Sequence, residues 1–359
     1  MVSKSLLLAV VASYALQLTS AQEALGAGAP ANYTPTSNFP WKNIYPQPRI
    51  VPAPKAEWMA LLDTSKIAQA PVAKKNPDGT LINPDTTGKD PFCAWSFSQC
   101  RGAEDIFSCQ KGNWGLSFDD GPTPASPQLY DYLDSINAKA TFFVIGGQVI
   151  QYPELLQRIH KAGHEIGLHT WSHSMLTSQT TEQIVAELKW TELAVKEVIG
   201  VSPKLMRPAY GDMDNRVRDI VKQLGFIPAI WNYDTFDWKL GTPGFDQASI
   251  EAKAKEWVAA AGTAQEGGVS LEHDLKKETI DVAIKIIPTL KTAYNLTTVG
   301  HCANLSFNQL YKETEKQNQT AQPGNSTNTK PQNAAGSLKD KALVGASLAV
   351  LSTLLMASL

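Results

Sequence analysis

Between residues 110 and 302, short apolar runs alternate with longer amphipathic ones. The short runs at 114–118, 141–145, 165–168, 204–206, 227–231, 269–271 and 297–299 predict strands. The longer runs at 127–136, 153–162, 181–199, 215–224, 247–260 and 279–293 predict helices. The clearest is 181–199. There Ile184, Val185, Leu188, Ala194, Val195, Val198 and Ile199 recur at helical spacing, with charged residues between. Strands that alternate with helices predict an α/β domain with a parallel sheet, open or closed into a barrel. No G-x-G-x-x-G follows the first strand, which argues against dinucleotide binding.

The flanks read differently. Residues 22–92 hold 11 of the 22 prolines and show no periodicity. The whole stretch 22–109 therefore reads as a wrapping arm or propeptide rather than a domain. Residues 303–341 are rich in Asn, Gln, Thr and Lys and read as a linker, since that composition cannot bury a core. The extremities carry the only long apolar stretches. Residues 1–21 place Lys4 before an apolar core from Leu6 to Leu16, with Thr19 and Ala21 small enough for cleavage before Gln22. That is the layout of a secretory signal peptide. At the other end, 342–359 is free of charge. It follows Lys339-Asp340-Lys341 and the small residues 333–337, the pattern of a GPI-anchor signal. Asn333 is the expected attachment residue, and the expected location is the plasma membrane and cell wall, reached by secretion.

A secreted chain makes its cysteines readable. Cys93, Cys100, Cys109 and Cys302 give an even number in an oxidising compartment, and two disulfides with three pairings are expected. Glycosylation sequons stand at Asn32, Asn295, Asn304, Asn318 and Asn325. The 359 residues are 43% hydrophobic and 18% charged, an ordinary globular mixture. The net charge of −2 argues against a protein built on attraction to nucleic acid.

Chemistry collects just past the C-terminal ends of the predicted strands. Asp119 and Asp120 follow the first, and His169 and His173 follow the third. Arg207 and Tyr210, then Asp234 and Asp237, then His273 and Asp274 follow later ones. In parallel α/β folds that edge carries the active site. The i, i+4 spacing of His169 and His173 puts both imidazoles on one face of a helical turn, ready to grip one metal. With Asp120 they make two His and one carboxylate, a set that leaves a coordination position open for water. Gly121-Pro122 is expected to turn the chain so that Asp119 reaches the same place. His273 is a candidate acid, with Asp237 fixing its tautomer and Arg207 orienting Asp119. Trp238 and Tyr210 offer flat surfaces suited to sugar rings. His160, His164 and His301 lack such company and read as structural or surface residues.

Five segments, SFDDGP (117–122), HTWSH (169–173), RPAYG (207–211), DTFDW (234–238) and LEHD (271–274), resemble in order the motifs of the polysaccharide deacetylases of carbohydrate esterase family four, the NodB homology domain. Taken with both terminal signals, the chain resembles the fungal chitin deacetylases. The resemblance implies a distorted (β/α) barrel over 110–302. It also implies a Zn²⁺ or Co²⁺ ion on Asp120, His169 and His173, and hydrolysis of N-acetyl groups of chitin or its oligosaccharides. In that scheme Asp119 is the base that also meets substrate, and His273 the acid. Asp237 and Arg207 support them, and the N–H of Tyr210 receives the oxyanion. In a closed barrel the first and last strands are neighbours. That favours Cys109–Cys302, which leaves Cys93–Cys100 for a local loop. Ser117 stands where the family usually has Thr and Ala209 where it commonly has a second Pro; neither removes a catalytic group.

Overall fold

The computed structural model describes residues 28–315. The signal segment 1–21, the sequons at Asn318 and Asn325, the attachment residue Asn333 and the tail 342–359 lie outside the described residues. Nine short strands make one all-parallel sheet. They are β1 (Asn113–Gly115), β2 (Ser117–Asp119), β3 (Thr141–Val144), β4 (Glu165–Leu168), β5 (Leu205–Met206), β6 (Ile227–Pro228), β7 (Tyr233–Asp234), β8 (Gly268–His273) and β9 (Asn295–Thr297). The six longer helices are α1 (Ser126–Ser135), α2 (Pro153–Lys161), α3 (Thr181–Ile199), α4 (Asn215–Gln223), α5 (Gln247–Ala260) and α6 (Lys277–Leu290).

The sheet closes on itself. Strands β2 to β6 lie side by side in chain order. The run that forms β6 then continues into β7, which pairs with β8, and β8 pairs with β2. The ring is distorted at its base, where β8 pairs with β1 and β9 takes the other edge of β1. The choice between open sheet and barrel is thus settled as a distorted barrel. Every residue of β3 and β4 is buried, as expected for strands covered on both faces. Glu165 is tolerated there because Thr141 Oγ1 donates to it at 2.8 Å and the Gly300 N–H at 2.8 Å.

Three expectations need correction. The last strand is 295–297 rather than 297–299, because Thr298 accepts from the His301 N–H and caps a helical turn, Val299–Cys302. The linker reading of 303–341 fails over its first part. Leu310 and Tyr311 are buried, and Lys312 pairs with Glu192 at 2.6 Å. Ala303 and Leu305 also pack against the core, and the charges beside Leu310 and Tyr311 find partners. Finally, α3 is not amphipathic in the expected sense. Glu187, Thr191 and Glu192 are buried beside its apolar seam, and Trp190 is buried too.

The arm explains part of that burial. Trp190 Nε1 donates to the Ala53 carbonyl at 2.8 Å, and Trp58 packs edge-on against its ring at 4.9 Å. Tyr45 is fully buried. Its ring stacks on Trp171 at 5.7 Å, and its hydroxyl donates to Glu197 at 2.6 Å. Further along, Ala68 N–H donates to Asp219 and Ala73 N–H to the Thr177 carbonyl. A segment with few elements of its own thereby satisfies its backbone on the helices it crosses. Disulfides join Cys93 to Cys100 and Cys109 to Cys302. Gly115 makes room for the second: a Cβ there would lie 2.6 Å from the Cys302 sulfur. The three described sequon residues, Asn32, Asn295 and Asn304, are all exposed.

Tyr45→Ala should destabilise the protein by about 3 kcal/mol, the lower range for losing a buried aromatic. Tyr45→Phe should cost about 1 kcal/mol through the lost hydrogen bond. Denaturant unfolding measures both, and an unchanged midpoint for Tyr45→Ala would show the arm to be a passive wrapper.

Candidate active site

Strand register makes the first part of the assembly. Asp119 at the end of β2 is paired with His273 at the end of β8. Leu168 of β4 is paired with Met206 of β5, so the next residues, His169 and Arg207, leave the sheet together. The His169 N–H donates to the Val144 carbonyl and the Arg207 N–H to the Leu168 carbonyl, extending the ladder to the site itself. Asp119 and Asp120 would diverge on a regular strand. Asp120 instead has φ 80°, a left-handed backbone, before the cis peptide Gly121-Pro122. That turn lets both carboxylates face one cleft.

The two histidines meet without a helix. Residues 169–173 form a loop in which Thr170 has φ 64° and His173 φ 60°. The expected helical turn is therefore wrong, although the imidazoles do come together, with ring centroids 5.0 Å apart. The loop is pinned from below by Glu187. Its carboxylate accepts from the N–H of Trp171 at 2.7 Å, the N–H of Ser172 at 2.9 Å and the Ser172 hydroxyl at 2.5 Å. Thr170 Oγ1 accepts from the His173 N–H at 3.1 Å.

Ligand atoms of Asp120, His169 and His173 all lie within 4.8 Å of one another. Asp120 Oδ1 is 3.5 Å from His169 Nε2 and 3.2 Å from His173 Nε2. That oxygen is buried and has no hydrogen-bond partner. His169 Nδ1 contacts the Arg207 carbonyl at 2.8 Å, which assigns its proton to Nδ1 and turns the Nε2 lone pair inward. Burial holds both imidazoles below the usual histidine range, so they are neutral donors. An orphaned carboxylate oxygen and two imidazole Nε2 atoms close to it fit one divalent cation.

Flanking this set are two groups held in opposite protonation states. Asp119 is buried, and burial pushes its carboxyl up to about 6, against the pull of Arg207. Arg207 Nη1 donates to Asp119 at 2.8 Å, and its guanidinium is fully buried over the Phe143 ring at 4.1 Å. Burial works against the charged form of His273, but Asp237, together with Asp120 and Asp119, outweighs it and raises His273 to about 10. Asp237 accepts from both the His273 N–H at 2.8 Å and Nδ1 at 2.6 Å. A cleft of about 420 Å³ opens over these residues, walled by Tyr210, Trp238 and Asp234. Tyr210 and Trp238 are 57% and 52% exposed, and the Tyr210 ring lies 4.5 Å from that of His173. Tyr210 has φ 60°, at the apex of a turn closed by Gly211 N–H to the Pro208 carbonyl. His164 is buried against α1, accepting from the Ala140 N–H, and His160 and His301 are remote from the cleft.

Sequence reasoning missed Glu187. The signal was present: 180, 184, 187, 191, 194 and 198 form one seam of α3, so a carboxylate at 187 faces inward. Also missed were Arg49, which the arm brings to the cleft edge, and the buried Glu272.

Residues 109–229 match the family model described as polysaccharide deacetylase. Over those residues the chain is similar to the polysaccharide deacetylases. Its relatives include chitin deacetylase 1 of Cryptococcus neoformans var. grubii, 38% identical over 281 residues, which are 74% of this chain and 59% of that protein. Chitin deacetylase 1 of Saccharomyces cerevisiae is 40% identical over 197 residues, covering 54% of this chain and 62% of that one. The chain thus spans about three fifths of the length of the curated relatives it matches. Among solved structures, the chitin deacetylase of Colletotrichum lindemuthianum superposes with a TM-score of 0.55 at 29% identity, over 58% of this chain and 95% of that chain. The distorted barrel thus matches the fold of a solved deacetylase.

The buried groups set a pH dependence of stability. Burial raises Glu187 and Asp274 to about 7 and Glu272 to about 8. His273 is raised to about 10. In each case the folded state holds its proton to higher pH than the unfolded chain, so stability is lost as pH rises through the folded value. Below pH 6.5 the depressed histidines, with His164 near 4, act in the opposite sense. Metal-free protein should therefore melt at steadily lower temperature between pH 6.5 and 9. Calorimetry that found a flat or rising melting temperature over that range would contradict these shifts.

Proposed function

We propose that the protein hydrolyses the N-acetyl groups of chitin or chitin oligosaccharides, releasing acetate and leaving glucosamine. The observation that carries this reading is the pair of oppositely poised groups, Asp119 and His273, on either side of the Asp120–His169–His173 set. The names of the matched relatives support an acetamido sugar as substrate. The open cleft with exposed Tyr210 and Trp238 suits sugar rings stacked on aromatic faces.

Asp120, His169 and His173 would hold a Zn²⁺ or Co²⁺ ion. When bound, such an ion supplies Lewis-acid polarisation of a carbonyl and acidifies water. The chain's own groups do the rest. Asp119, more basic than an ordinary aspartate yet ionised at neutral pH, takes a proton from the attacking water. The water oxygen bonds to the acetyl carbon, and the Tyr210 N–H receives the negative oxygen. Arg207 fixes Asp119 in place. The carbon–nitrogen bond then breaks. His273, protonated at neutral pH, gives its proton to the departing amine, while Asp237 steadies the charged imidazole.

Three variants separate these roles. Asp120→Ala removes a ligand, so metal content should fall and excess metal should restore part of the activity. Asp119→Asn and His273→Ala should both keep the metal and lose acetate release by about 10²–10⁴-fold, the range for a lost acid or base. The measurements are metal content by mass spectrometry and acetate release from a chitin oligomer. Loss of metal from Asp119→Asn with retention in Asp120→Ala would reverse the two assignments, and wild-type turnover by His273→Ala would remove it as the acid.

A further inference from the structure

The cleft does not stop at the catalytic groups. A second hollow of about 250 Å³ adjoins it and shares Asp120, His173 and Tyr210 with it. The two form one groove that passes over the candidate metal site. One half is walled by Trp238 and His273, the other by Gln148, Leu275 and Arg49. Arg49 is the only Lys or Arg lining either half among the described residues, and it comes from the arm rather than the barrel.

The arm is fixed where it enters the groove. Trp171, which lies between the two histidines in sequence, donates from Nε1 to the Gln47 carbonyl at 3.1 Å and stacks on Tyr45. Pro48 packs on Gly147: a Cβ there would lie 3.1 Å from Pro48 Cα. Arg49 itself has φ 64°, which turns the chain at the groove edge, and it is exposed. This is a built wall, not a loose strand laid over the site.

We propose that the arm completes the polysaccharide-binding groove and that Arg49 makes its half select N-acetylated sugar over deacetylated sugar. The inference rests on the deacetylase reading above. A guanidinium donates hydrogen bonds to neutral hydroxyl and amide oxygens. It repels an ammonium group within a Debye length, about 8 Å at physiological salt. N-acetylglucosamine is neutral there, whereas glucosamine carries an amine that protonates. The product of one turnover is therefore disfavoured in the arm-side half during the next, which spaces successive deacetylations along the chain.

The test compares kcat/KM for acetate release from a fully acetylated chitin oligomer with that from the same oligomer carrying one internal glucosamine. Each protein is assayed on both, so a partly folded preparation cancels in the ratio. Wild-type protein should favour the acetylated oligomer by about fivefold at 50 mM salt, falling toward parity at about 500 mM as the charge is screened. Arg49→Lys should keep the preference, and Arg49→Glu should reverse it. A ratio that is the same in wild type and Arg49→Glu, or that ignores salt, overturns the inference alone. Acetate from neither oligomer with wild-type protein overturns the deacetylase reading and this inference with it.

Discussion

One buried carboxylate supports the loop that carries both candidate metal-binding histidines. His169 and His173 lie on a loop with two left-handed residues, a shape that the backbone does not adopt without support. Glu187 supplies the support by accepting from two consecutive backbone N–H groups and the Ser172 hydroxyl. Burial pushes that carboxyl up to about 7, while the donors around it favour the ionised form. Tyr45 covers the loop from the other side by stacking on Trp171. The histidine loop is thus held between a buried carboxyl group on α3 and an aromatic ring from the arm.

The same economy runs through the rest of the site. Asp119 and His273 sit in register on adjacent strands, yet near neutral pH the carboxyl is poised to lose its proton and the imidazole to keep it. Their partners make the difference: Arg207 lies beside Asp119 and Asp237 beside His273. Arg207 is itself buried and among the described residues makes one carboxylate contact, while its Nε and Nη2 donate to the Ala229 and Ile230 carbonyls. Asp119 therefore remains more basic than a fully neutralised aspartate would be.

Much of this is legible in the sequence, and the parts that are not share a cause. Alternating runs give the strands and helices, and the strand ends give the residues gathered in the candidate site, because both depend on local spacing. The route by which the sheet closes is not local. It depends on the 227–234 run pairing with β5 at one end and β8 at the other. The His pair shows the limit most sharply: i, i+4 spacing implied a helical turn, whereas a loop held by a residue fourteen positions further on makes the same meeting. Arg49, Tyr45 and the docked segment after residue 302 escaped for the same reason, since polar, Pro-rich stretches reveal nothing of the surface they cross until that surface is built.

The most direct test is the metal affinity of Glu187 variants. Chelator competition with Zn²⁺ on folded protein should give a dissociation constant about 10–100-fold weaker for Glu187→Ala, as for other residues that position a metal ligand. Glu187→Gln should fall between, since its amide oxygen can still accept from the Trp171 and Ser172 N–H groups. Wild-type affinity in both variants would contradict the account: the loop would then hold its histidines without Glu187.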